Sequence, residues 1–355
     1  MKSFYFGLVV VGIVGGLFQA PRELRADDFD DFLGPQAHES WKKYMRENRY
    51  TCPGPLDTLA KSRTLVIGGK SYVHSGYKLE LLPSSADKDD AVKIGVVSAI
   101  KDTSPGTMKN LKETLAWFVG EKVDWIVVNG DIARGEFDLE EIIDVIAATQ
   151  FPILVNLGNL DSKGSWARVY KNREKKNPHI VNGVWIRQII ADDIEFWTVA
   201  GYHDSRFVHQ GGGCKYKKAD VDVFRREIKP SGDRPVAMVV HGPPLGQGKK
   251  SIDVIHDNKN VGDPNLNRVI RRMGVKFGIF GHILESGGRA VRSDMKTRVK
   301  EGVASDELHL NSGSVSADPW AMLGGKTFFG MSVIMEIKGG KASFKTKRFA
   351  AQYED

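Results

Sequence analysis

"VDWIVVNGD", residues 123–131, decides how this chain folds. Its apolar centre lacks the polar alternation of a half-exposed strand, and it stops at Asn129, Gly130 and Asp131. A run this short and continuous reads as a strand buried on both faces. The same form recurs in "VKIGVVSAI" (92–100), "FPILVNLGN" (151–159), "RPVAMVVHG" (234–242) and "VKFGIFGH" (275–282), each ending in or near Gly, Asn, Asp or His.

Between the first three runs lie segments with helical spacing. Residues 108–120 place Leu111, Leu115, Trp117 and Phe118 at helical intervals, and residues 139–148 do so with Ile142, Ile143, Val145 and Ile146. Alternating strand and helix predicts βαβ units. Further strands are expected at 63–67, 77–82, 185–190, 194–200, 307–311, 329–337 and 342–347. The partial alternation of those in the second half predicts a second sheet stacked on the first. The expected fold is α/β, a two-sheet sandwich with outer helices, without internal repeats.

Length and composition set the frame: 355 residues, 41% hydrophobic and 27% charged, allow one large domain or two modest ones. Residues 1–26 stand apart, with Lys2 before an apolar run over 4–18 and then Leu24, Arg25 and Ala26 ahead of Asp27. This is the layout of a secretory signal. It predicts export to a periplasmic or secreted location, an uncleaved membrane anchor being the alternative. Residues 27–90, polar and proline-bearing, with a short helix expected at 41–47, are an N-terminal extension; residues 91–355 are the main domain.

The whole-chain net charge of +7 falls to +5 once residues 1–26 are removed, an excess too mild to indicate nucleic acid. The two cysteines, Cys52 and Cys214, invite one disulfide in an exported protein, although spacing alone leaves their pairing open.

In open α/β sheets, ligands bind beyond the carboxyl ends of the strands. Those ends bring up Ser98, Ala99 and Lys101, then Asn129 and Asp131, Asn159 and Asp161, His241, and His282. A carboxylate, an amide oxygen and two imidazoles suit a borderline divalent metal.

The order "GD", "GN", "HGPP" and "GH" after successive strands resembles the calcineurin-like metallophosphoesterase family, over roughly residues 92–349. "LNSGSVSADPW" (310–320) resembles its Asn-Pro-Gly-Ser turn. The resemblance implies a two-metal site that activates water against a phosphoester. It also implies departures. The Asp-x-His motif matches Ala99 and Lys101; the histidine of Gly-Asn-His-Asp matches Leu160; the second histidine of Gly-His-x-His matches Leu284. Of the four ligands implied for one metal, only Asp131 remains. The four for the other, Asp131, Asn159, His241 and His282, are all present.

One divalent ion of the manganese, iron or zinc class is therefore expected. Lys101 is a candidate to replace part of the missing cation's charge beside Asp131, the alternative being a solvated loop lysine. Arg134 and Arg206 are possible anion contacts. Asp161 reads as a helix N-cap rather than a support for the site, and His203 and His256 as loop histidines without a role. "GPPLGQGKKS" (242–251) resembles a P-loop, but its lysine spacing and two prolines argue against one; its glycines and Lys249-Lys250 are expected to form a mobile rim attractive to anions.

Three functions follow. One is a divergent metallophosphoesterase, a hydrolase with one metal half-site and weak or specialised activity. Another is an inactive pseudo-enzyme binding a phosphoester, another anionic ligand or a protein partner in the cell envelope. The third is a structural envelope protein.

Overall fold

The computed structural model describes residues 51–52, 62–87, 89–208, 213–232 and 234–351, all within the compact unit formed by residues 50–355. The expected signal at 1–26 and helix at 41–47 lie outside the described residues. Among the described residues, no helix is long and apolar enough to cross a membrane.

The elements in chain order are β1 (Arg63–Ile67), β2 (Lys70–Ser75), β3 (Lys78–Leu81), β4 (Ala91–Val97), α1 (Pro105–Glu121), β5 (Trp125–Asn129), α2 (Glu136–Ala147), β6 (Ile153–Asn156), α3 (Lys163–Arg173) and β7 (Ile180–Asn182). There follow β8 (Gln188–Ile190), β9 (Glu195–Val199), α4 (Lys218–Arg226), β10 (Val236–Val240), α5 (Pro264–Met273), β11 (Phe277–Phe280), β12 (Arg289–Val291), β13 (Arg298–Val299) and β14 (Leu308–Asn311). A small hairpin, β15 (Trp320–Ala321) and β16 (Thr327–Phe328), precedes β17 (Met331–Lys338) and β18 (Lys341–Arg348).

The strands form a six-stranded sheet, β18-β17-β4-β5-β6-β7, and a ten-stranded sheet, β1-β2-β3-β8-β9-β10-β11-β14-β12-β13. β4 to β7 run parallel, as do β9, β10, β11 and β14. The second-half strands do not all join the second sheet as expected. β17 pairs antiparallel with β4, and β18 with β17, so the chain returns to the first sheet at its end. The physical reason is burial: Val333, Met335 and Ile337 of β17 fill the same core as Val92, Ile94 and Val96 of β4.

That core lies between the sheets, since Trp125 and Val127 of one share it with Phe196, Ala237, Val239, Phe277 and Ile279 of the other. α1 to α3 cover the outer face of the six-stranded sheet through Leu111, Leu115, Phe118, Ile142 and Trp166. α4 and α5 cover the other outer face through Phe224, Leu266, Val269 and Ile270. The central strands β5, β6, β9, β10 and β11 are thus covered on both sides, which explains why the runs that form them are apolar without alternation.

Asparagines at strand ends stitch the sheets where they open. Asn129 Nδ2 donates to the carbonyls of Val240 (3.0 Å) and Ile279 (3.3 Å) across the sandwich. Asn156 Nδ2 donates to Val199 O at 3.1 Å. Cys52 and Cys214 form a disulfide, and Cys52 N donates to Lys215 O at 3.0 Å. The same segment receives Tyr202, whose backbone pairs with Cys214 and Tyr216.

Candidate metal centre

Backbone crowding comes first. The ends of β5 and β6 approach so closely that a Cβ on Gly130 would lie 2.5 Å from Gly158 N and 2.6 Å from His241 Nδ1. A Cβ on Gly158 would lie 2.3 Å from Asp131 Oδ1. Both positions therefore require glycine, and Gly130 also turns at φ 79°. Asp131 and His282 themselves stand in left-handed backbone, at φ 53° and 62°. Such strain in non-glycine residues concentrates at functional sites.

This geometry brings Asp131, His241 and His282 together, with one ligand atom of each within 4.8 Å of the others. His241 is fully buried; its Nδ1 lies 2.8 Å from the Asn129 carbonyl, which can only accept, so Nδ1 carries the proton. Its Nε2 faces Asp131 Oδ1 at 3.2 Å. A lone pair facing a carboxylate needs a cation between them, either a proton or a metal. Burial alone disfavours the imidazolium, but the Asp131 carboxylate outweighs it and raises the His241 pKa. Burial likewise opposes the Asp131 charge, and His241, His282 and the Leu160 amide overcome it, holding the carboxyl ionised.

The fourth expected ligand fits the same pattern. Asn159 Nδ2 donates to Phe207 O at 2.9 Å, which fixes the amide, while its Oδ1 is buried without a partner. His282 Nδ1 and His241 Nε2 are also buried without a hydrogen bond. An unsatisfied buried polar atom costs about 1–3 kcal/mol, which a cation held by the Asp131, His241 and His282 group would lessen. Asp131, Asn159 and His282 line one cavity of about 370 Å³. The donor set of carboxylate, amide oxygen and two imidazoles therefore fits a divalent metal.

The rest of the cavity wall mixes apolar side chains, among them Leu160, Ile255, Val261 and Leu284, with Lys101, Arg134 and Glu285. Ala99 is fully buried and Leu284 nearly so, at 8% exposure; Leu160 and Leu284 both line the cavity. Lys101 lies on the same wall, but its ammonium sits 5.3 Å from the ring centroid of Trp320, and no ion pair joins it to Asp131. The expected charge replacement is thereby corrected: the aromatic face of Trp320 draws the cation to the rim.

Arg134 is exposed and lines the cavity, as expected of an anion contact. Arg206 does not line it; its guanidinium forks onto Asp204, with Nε at 3.0 Å and Nη2 at 2.6 Å from carboxylate oxygens. Its neighbour Phe207 occupies the wall instead.

Asp161 is not the cap of α3; Ser162 is, accepting from Ser165 N. Asp161 instead accepts from Ile132 N (2.7 Å), Ala133 N (3.2 Å) and Gly158 N (2.6 Å). In return Leu160 N donates to Asp131 Oδ1 at 3.0 Å, so the two loops brace each other. Burial and the neighbouring Asp131 charge raise the Asp161 pKa.

Tyr202 was not foreseen. Its ring lies 3.8 Å from that of His282 and holds the imidazole in place. The "GY" after an apolar run was the available signal, but a contact between the loops after β9 and β11, two strands of one sheet, leaves no trace in sequence spacing. His203 lies beside Tyr202 and outside the Asp/His group, and His256 faces Glu285 at 3.9 Å on the surface.

The P-loop lookalike holds an aspartate where a phosphate would sit: Gly246 N and Gly262 N donate to Asp253 Oδ2 at 2.8 and 2.9 Å. These bonds tie the loop at its base, and Gln247 to Lys250 beyond it are exposed. A second acidic group, Asp87, Asp192 and Asp193, already holds the Lys70 ammonium, which bonds Asp87 and Asp192.

With this geometry in view, the sequence profile of the calcineurin-like phosphoesterase family matches residues 92–286, and the chain belongs to that family. Solved structures share its fold. The TT1561 protein of Thermus thermophilus is similar at 11% identity and TM-score 0.50, over 73% of this chain and 99% of that one. GAP50, the anchor in the inner membrane complex of Plasmodium, is similar at 14% identity and TM-score 0.44, over 75% and 90%. A dimetal phosphatase from Danio rerio is similar at 12% identity and TM-score 0.41, over 74% and 100%. No curated protein sequence matches the chain.

Proposed function

We propose that the protein is a one-metal phosphoesterase-type protein. Asp131, Asn159, His241 and His282 hold a single divalent cation of the manganese, iron or zinc class. Lys101 and Arg134 at the rim take the phosphoryl group of a phosphoester or another anionic ligand. The observation that carries this reading is the grouping of Asp131, His241 and His282, one ligand atom of each within 4.8 Å of the others, with Asn159 on the wall of the same cavity as Asp131 and His282.

When bound, such an ion polarises a phosphoryl oxygen. The chain's own residues do the rest. Asn129 keeps the His241 proton on Nδ1, so Nε2 offers its lone pair. Tyr202 and Phe207 pack around the His282 ring. Leu160 offers no proton to a leaving group, which costs a factor of about 10²–10⁴ in rate. Hydrolysis is consequently weak.

The apolar residues at the substituted positions, Ala99, Leu160 and Leu284, favour a second reading: an inactive member that binds an anionic ligand or a protein partner. Metal content after purification, measured together with aryl phosphate turnover under added manganese, separates the two. Metal near one per chain with turnover supports the first; metal without turnover supports the second; an absence of bound metal sinks both. The disulfide between Cys52 and Cys214 supports export to an oxidising periplasmic or extracellular location.

A further inference from the structure

A second concave surface lies outside the candidate metal centre. It is a groove of about 870 Å³, and among its lining residues are Lys249, Lys250, Lys296, Arg298 and Lys300. All five are exposed, and among the described residues none forms an ion pair. The carboxylates nearby are engaged elsewhere. Glu301 accepts from Thr346 N at 2.6 Å and from Arg348 Nη2 at 3.1 Å. Asp294 accepts from Lys296 N and Thr297 N at 2.9 and 2.8 Å, capping its own turn. Glu307 faces Arg292 at 3.5 Å.

A sixth cation, Arg289, lies next to the groove-lining Lys249 loop. The Arg289 guanidinium donates only to the carbonyls of Lys249, Ser251 and Leu323. Burial, and then the charge of Arg298, lower its pKa. Five cations thus line the groove with one carboxylate, Glu301, which is paired with Arg348, an arrangement that an external anion relieves.

The pattern has a direction. Arg298 and Lys300 flank the buried Val299, so they share the outer face of an extended segment, about 6–7 Å apart along it. Lys249 and Lys250 border the same groove, on a loop tied to this segment where Gln247 N donates to Met295 O at 2.9 Å. No aromatic residue lines the groove. It therefore lacks the stacking platforms that single-stranded nucleic acids use.

We infer that this groove binds a linear polyanion of repeated phosphoryl groups, held by Lys249, Lys250, Lys296, Arg298 and Lys300. Its contacts are ionic and with the backbone of the polymer. This inference does not depend on the metal reading, because the residues lining the two cavities are different.

The test measures binding of medium-chain inorganic polyphosphate to the full chain at several salt concentrations. The variant K249E/K250E/R298E is compared with the charge-matched R271E/R272E/K276E, whose three exposed cations lie on α5 or just after it and outside the groove lining. Wild type binds, the affinity falls with salt, and the groove variant loses at least about tenfold while the α5 variant loses less than about threefold. Unchanged thermal unfolding shows that both variants are folded. A single variant, Lys250→Glu, serves if the triple one fails to fold, with a loss of at least about threefold. Equal losses in the groove and α5 variants overturn the inference. So does tighter binding to a single-stranded oligonucleotide or to anionic phospholipid vesicles than to polyphosphate.

Discussion

The two halves of the cleft share a backbone and differ in side chains. Ala99 and Lys101 on one side stand at φ 48° and 74°, and Asp131 and His282 on the other at 53° and 62°. Left-handed backbone is tolerated best by Gly, Asn, Asp and His. One half fills these strained positions with an aspartate and a histidine, while the other fills them with an alanine and a lysine. Left-handed residues thus recur in the loops after β4, β5 and β11, and the side chains they carry decide which loop offers ligands. A site of this kind is built by the scaffold first and specified by a handful of atoms second.

The comparison breaks most sharply where a ligand is removed from the complete half. His241→Ala deletes the atom that faces Asp131 at 3.2 Å and leaves that carboxylate without its neighbouring imidazole. Changes to residues that merely orient ligands cost about 10–100-fold in metal affinity, so this one is expected to cost at least about 100-fold. Chelator-competition titration reads the loss. An unchanged affinity would show that His241 is only a buried core histidine.

Asp161 gives the next effect. It touches no expected ligand atom, yet its carboxylate gathers three amides from the loops that carry Asp131 and Asn159. Asp161→Asn turns an N–H toward one of those N–H groups. The variant is expected to lose about 1–3 kcal/mol of stability and about 10–100-fold in metal affinity. Calorimetric unfolding and the same competition titration measure the two. Normal metal affinity with lowered stability would reduce Asp161 to a fold-stabilising residue.

The sequence made some of this legible and hid the rest for identifiable reasons. The strands β4, β5, β6, β10 and β11 could be read because each is buried on both faces and ends in residues that suit the carboxyl edge of a sheet. Asp131, His241 and His282 were legible because each follows such a strand directly. The assignment of β17 and β18 to a sheet was not, since alternation reveals a strand's exposed face but not its partner. Asp161 was misread because an aspartate one residue before the true cap Ser162 offers the same local signal. The pairings Lys101–Trp320, Arg206–Asp204 and Tyr202–His282 depend on side-chain direction. Only the second is close in sequence, and spacing does not report which acceptor a guanidinium chooses.

The smallest expected change is also the most direct examination of the comparison. Ala99→Asp, Lys101→His and Leu284→His together place ligand-type residues on the incomplete half. At positions 99 and 101 the backbone already has positive φ, where aspartate and histidine are better tolerated than alanine and lysine. Lys101→His also removes the ammonium from Trp320, a contact worth about 0.5–1 kcal/mol at an exposed ring. Leu284 is the hard position, being 8% exposed, because an imidazole there must find a polar partner. A second metal would provide one. Bound metal per chain, measured by elemental analysis, is expected to rise from one toward two, with Asp131 shared between the ions. If the triple variant folds and binds no additional metal, the pairing of Ala99, Lys101 and Leu284 with ligand positions is wrong.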